Sequence, residues 1–147
     1  MSKIFSLPFL IAAVSGIAMA IQGTINSSLS QKTSLLSATL VVHIIGTLIA
    51  LIAVLAWRAP LLQYNWFSVP WYLYLGGILS VLIIGLVAVS IPKIGVCNAT
   101  TAIIIGQVSM AVLIDHFGWL GMERQAWTPS QLIGIALFAA GAKLLFH

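Results

Sequence analysis

The chain has 147 residues, 61% of them hydrophobic and 5% charged, with six Lys and Arg against two acids and a net charge of +4. A soluble domain carries about 25% charged residues, so the composition excludes a water-soluble fold and places the chain in a bilayer. The six cations are scattered, which argues against a nucleic-acid partner; at the ends of apolar runs they read as topology markers. The single cysteine, Cys97, leaves no internal disulfide and reads as a small hydrophobe.

Five apolar stretches reach spanning length, at about residues 4–21, 35–57, 70–90, 94–114 and 129–146. They predict an all-α integral membrane protein, one compact transmembrane domain over 1–147 with no room for a soluble one. In the first stretch, Lys3, an apolar run and Ala18-Met19-Ala20 have the layout of a secretory signal. The remainder is itself a membrane bundle, and the first span is expected to be retained.

The polar stretch 26–34, "NSSLSQKTS", is expected to be a loop that supplies Ser and Thr caps for the second span. Residues 58–70 place Tyr64 and Trp66, with Trp71 just beyond, where aromatic rings suit the headgroup zone. "IPKIG", 91–95, predicts a tight turn, with Pro92 breaking the helix between the third and fourth spans. The last loop opens at Asp115-His116 and closes with Thr128 before Pro129, a strong helix start.

Five spans put the termini on opposite faces. Lys3, Arg58 and Arg124 fall on one face and Lys32, Lys93 and Lys143 on the other, three against three. Orientation normally follows an excess of Lys and Arg on the cytoplasmic side, and here there is none. Either weak biases select one orientation, or the chain inserts both ways and pairs antiparallel with itself. The second arrangement would build the inverted repeat of many secondary transporters from one sequence. Small residues that let helices approach closely stand at Gly76-xxx-Ser80, at Ala102-xxx-Gly106 and along the fifth span at Gly134, Ala140 and Gly141.

Polar residues inside the spans are the candidate site. Gln107 lies 13 residues beyond Ile94, about 20 Å along a helix axis, and should face protein or water rather than lipid. Ser15, Gln22 and Asn26 form one stripe of the first helix, together with Met19. His43 stands about eight residues into the second span, with Gly46 and Thr47 beside it. It is the one ionisable side chain well inside a span, and imidazoles change charge near neutrality. Asn98 and Thr100 occupy the fourth span. Each amide or hydroxyl could alternatively join helices by a hydrogen bond, worth about 0.6 kcal/mol on average in membranes.

No catalytic or metal-ligating pattern is present. Three histidines and one cysteine are far apart along the chain, without metal-ligand spacing, and no nucleophile–base set or phosphate-binding loop is recognisable. An enzyme is not expected, nor a cofactor. Asp115 and Glu123 are the only acids. Neither is near the membrane centre, so a buried carboxylate exchanging protons for a cationic drug is not available.

The segment 75–121, "LGGILSVLIIGLVAVSIPKIGVCNATTAIIIGQVSMAVLIDHFGWLG", resembles the five-span YdcZ-type inner-membrane proteins of the drug/metabolite transporter superfamily. The resemblance rests on the GG start of the third span, the P-x-x-G turn, and GQ followed by Asp-His-Phe-Gly. "GIAMAIQGTINSSLS" (16–30) and "HIIGTL" (43–48) fit as well. It implies a half-transporter of the bacterial inner membrane, moving small metabolites or drugs, commonly outward. Related four-helix exporters use a first-helix glutamate for proton exchange, and this first span has none.

The expectation is therefore half of a ten-helix inverted-repeat transporter, working as an antiparallel homodimer in the lipid bilayer by alternating access. Gln22, Asn26, His43 and Gln107, with Ser15 and Thr47, are expected to line the path of a small-molecule substrate. The rivals are a non-transporting scaffold or accessory subunit, whose core would be dry, and a lipid flippase, whose path would open sideways.

Overall fold

The computed structural model describes residues 7–146, and every described element is helical. Helix α1 spans Leu7–Lys32, α2 Leu35–Ala56, α3 Leu75–Ile94, α4 Val96–Phe117 and α5 Pro129–Leu145. Four of the spans are long and apolar enough to cross a membrane; α5, at 17 residues, is shorter. Two compact units are described in turn, Met1–Lys93 and Ile94–His147. Lys3 and His147 lie outside the described residues.

In the first unit, α1 does not stop where its apolar run stops. It continues through the stretch expected to be a loop and ends at Lys32. The first residues of that stretch are packing surface: Asn26 and Ser27 are buried together with Gly23 one turn before, as are Ala38 and Thr39 of α2 and Ala88 and Ile91 of α3. Only Thr33 and Ser34 separate α1 from α2, and the Ser34 side chain caps α2 by accepting from the Ser37 N–H. The connection sets the last turns of α1 beside the first turns of α2, where the buried small and polar residues cluster.

Pro92 was expected to end α3, yet the helix runs through it to Ile94. A proline in a helix withholds the N–H that would bond the carbonyl four residues earlier, here that of Ala88. Ser27 Oγ of α1 donates to that carbonyl at 3.3 Å. A side chain thus replaces the missing backbone donor, as membrane helices require. The break falls instead at Gly95, whose φ of 82° and ψ of 161° belong to a region open essentially to glycine.

Helix α2 ends in a turn with Arg58 in the left-handed region, at φ 51°. Arg58 N–H donates to Leu55 O and Ala59 N–H to Val54 O, the pair of bonds of a Schellman cap. Three short 3-10 turns follow, at Leu61–Gln63, Trp66–Ser68 and Trp71–Tyr74. Within this connection the Trp66 indole N–H donates to Leu61 O, and Tyr74 Oη donates to Trp66 O.

In the second unit, Asp115 and His116 belong to the last turn of α4 rather than to a loop. The helix stops at Gly118, at φ 65°, whose N–H bonds Ile114 O. The chain then doubles back over the helix end. Gln125 N–H donates to Asp115 O at 2.7 Å, Arg124 Nε to His116 O at 3.1 Å and Trp127 Nε1 to Val112 O at 3.3 Å. Two carbonyls that the helix terminus leaves unpaired, those of Asp115 and His116, are taken up by the returning chain. Helix α5 begins as expected, with a capping box between Thr128 and Gln131 and Pro129 in the first turn.

A Cβ at Gly118 would stand 3.2 Å from Met122 O and 3.3 Å from Arg124 Cβ, besides requiring a left-handed backbone. Gly118→Ala is therefore expected to destabilise the protein by about 1–2 kcal/mol. The shift in unfolding midpoint in mixed micelles measures it.

Candidate functional site

The hydroxyls of the first unit divide into two kinds. Ser15 donates to Ala12 O, Thr24 to Ala20 O, Thr39 to Leu35 O and Ser90 to Leu86 O. Each is spent on its own helix, the usual local solution for Ser and Thr. Two cross between helices: Ser27, described above, and Ser80 of α3, whose Oγ lies 3.0 Å from Nε2 of His43 on α2.

His43 stands eight residues beyond the first residue of α2, about 12 Å along the axis and well within a hydrocarbon core about 30 Å thick. Its Nδ1 lies 2.8 Å from Thr39 O, the carbonyl one turn back. A carbonyl only accepts, so Nδ1 carries the hydrogen. In the neutral ring Nε2 is then a bare lone pair, and the Ser80 hydroxyl donates to it. Both ring nitrogens are engaged, and the tautomer is fixed by the backbone of the same helix.

The other expected site residues separate by burial. Asn26 is 5% exposed, packed in the polar cluster with Ser27 and Thr39. Gln22, Ser15 and Thr47 are exposed on the chain. The stripe drawn through Ser15, Gln22 and Asn26 thus straddles the edge of the packed face, with Asn26 inside it. In the second unit Gln107 is exposed at the middle of α4, while Thr101 is buried and Asn98 and Thr100 are partly so. No hydrogen bond joins the Gln22, Asn26 or Gln107 amide to another described residue.

Two groups escaped the sequence. Ser80 was read only as a small residue, although its hydroxyl is the partner of the mid-span histidine; two polar groups at similar membrane depth on successive spans were the available signal. His116 is set between rings, 4.8 Å from Phe117 and 4.5 Å from Trp127. Its Nδ1 is buried without a partner among the described residues. Phe117 in turn stacks on Trp119 at 5.0 Å. Among the described residues no three of His, Cys, Asp and Glu come together as metal ligands.

Long apolar helices with unspent amides and a hydrogen-bonded imidazole at mid-span define a polytopic membrane protein. The chain belongs to the family described as "Putative inner membrane exporter, YdcZ", whose model matches residues 7–144. It is a multi-pass protein of the inner membrane, with the lipid bilayer as its surroundings and a small molecule as its substrate. No curated protein matches the chain, and no solved structure does.

Proposed function

We propose that the chain is half of a secondary transporter that exports a small polar or amphipathic solute, completed by a second copy in the opposite orientation and working by alternating access. The observation that carries this is Gln107. Its amide sits at the middle of an apolar helix, exposed on the chain. Transfer of such a group into hydrocarbon without a hydrogen bond costs about 4–8 kcal/mol, so lipid is not its partner. Gln22 and Thr47 pose the same demand in the first unit.

Water in a solute path, the solute itself, or a second copy meets that demand. The balanced distribution of Lys and Arg favours a copy turned over, and the midplane polar groups match where transporters bind their cargo. Gln22, Asn26, His43 and Gln107, with Ser15 and Thr47, are the groups we assign to the path of the assembled dimer. Transport is the chemistry we assign to these side chains: they bind and orient a solute.

Accessibility provides a test that needs no knowledge of the solute. In a Cys97→Ser background, Gln107→Cys is expected to react in proteoliposomes with a membrane-impermeant thiosulfonate, at least ten times faster than a cysteine placed at partly buried Ile105, on the opposite side of α4. Equal, negligible rates would show a dry core and overturn the path. Reporter tags at the two ends are expected to be found on both sides of the membrane. A single orientation would remove the antiparallel pair.

A further inference from the structure

We infer that His43 is a proton-exchange site inside the membrane, taking up and releasing H+ at Nε2, with the Ser80 hydroxyl as the partner that adapts to either state. The inference deepens the transporter reading, on which its coupling role rests, by naming the proton as the coupling ion.

The geometry is suited to both charge states without movement of a heavy atom. Thr39 O keeps the hydrogen on Nδ1 at 2.8 Å, so the exchangeable position is Nε2 alone. A hydroxyl both donates and accepts. In the neutral state Ser80 O–H donates to Nε2 across 3.0 Å. When Nε2 takes a proton, its N–H donates instead and Ser80 Oγ accepts, its own hydrogen turning away about the Cβ–Oγ bond. The carbonyl and the hydroxyl oxygen then face a cation with their lone pairs, and hydrogen bonds to an ionised donor are the stronger kind. A carbonyl in place of Ser80 would favour only the charged ring, and an N–H only the neutral one.

Other charges do not take over this role in the first unit. The helices packed there hold no acid; their charged groups are Lys32 and Lys93, in the last turns of α1 and α3. Lys32 is 11 residues from His43, and Lys93 is 13 from Ser80. Tyr72 and Tyr74 precede α3 in its 3-10 turn. Protonation of His43 therefore changes the charge of this mid-span region from none to one, and the bond across α2 and α3 reverses its direction with it.

The test reads the ring directly. The full chain, labelled with 15N-histidine in lipid nanodiscs and without any solute, is followed by NMR across a range of pH. The expected result is a His43 signal, assigned by its loss in His43→Gln, in which Nδ1 stays protonated throughout while Nε2 passes from bare to protonated. Ser80→Ala should move the Nε2 signal at both ends of the range, whereas Ser90→Ala, which loses only a bond within its own helix, leaves it in place. An Nε2 that keeps one state across the range, or an Nδ1 found bare, overturns the proton site.

Coupling is read separately. Labelling of Gln107→Cys, normalised to free cysteine at each pH, is expected to change at least threefold between the two ends of that range and to lose that change in His43→Gln. A change that persists in His43→Gln, or none in the parent, overturns the coupling role. These failures differ from failure of the transporter reading itself, which would show as a Gln107→Cys unreactive at every pH while the His43 ring still titrates.

Discussion

Ser27→Ala is expected to destabilise the protein by about 1–2 kcal/mol, and Pro92→Ala in the same chain is expected to restore most of the loss. Ser27 is 1% exposed, and its hydroxyl donates to Ala88 O. Pro92 has no N–H to give that carbonyl. Alanine at 27 leaves a buried acceptor unpaired where water cannot reach it, and such a group costs more than a lost hydrogen bond returns elsewhere. Alanine at 92 supplies the backbone donor that proline lacks. Unfolding midpoints of the two single variants and the double variant in mixed micelles measure the coupling. Additive effects, with no rescue, would mean that the Ser27 bond and the Pro92 gap are unrelated.

Gly23→Leu is expected to cost more, about 1–3 kcal/mol for overpacking together with whatever the Ser27 bond contributes. A Cβ on Gly23 would come within 3.0 Å of Val87 Cγ1 and 3.6 Å of Ile91 Cδ1. Valine is stiff about χ1, so relief has to come from α1 and α3 moving apart. Gly23 and Ser27 lie one turn apart on the same face of α1, and the separation that admits a leucine stretches a hydrogen bond already 3.3 Å long. Val87→Ala should recover part of the loss in Gly23→Ala, where one methyl must be fitted, and little of it in Gly23→Leu. Retained midpoints in Gly23→Leu would show that this contact is not close.

These two positions also mark where the sequence was legible and where it was not. Helices α2, α4 and α5 could be placed to within a few residues, because apolar runs of spanning length are bounded by local signals: the Ser and Thr of 26–34 before α2, Asp115-His116 near the end of α4, Thr128-Pro129 before α5. Such signals act over one turn and are written in neighbouring residues. The end of α1 could not be read that way. Residues 26–32 are polar like a loop, but a helix–helix contact made of small and polar residues has the same composition. Pro92 misled for a related reason: the donor that lets α3 continue comes from Ser27, 65 positions away in the chain.

The candidate site was legible in its membrane depth and not in its facing. Offsets of seven and four residues put Ser15, Gln22 and Asn26 within about 40° of one another around a helix. The border between packed and exposed surface passes through that narrow sector, with Asn26 buried and Gln22 exposed. His43 stood out as a mid-span ionisable group, and the structure adds the partners that orient it. The inner-membrane family and the helical architecture emerged from composition and motif.

The segment that folds back over the end of α4 has one further consequence. Its Gln125 amide and Arg124 side chain occupy the carbonyls of Asp115 and His116, so lifting it away would strand two acceptors at once. Residues 118–127 therefore travel with α4 as a fitted plug, and the Gln125 amide should resist deuterium almost as long as the helix it closes.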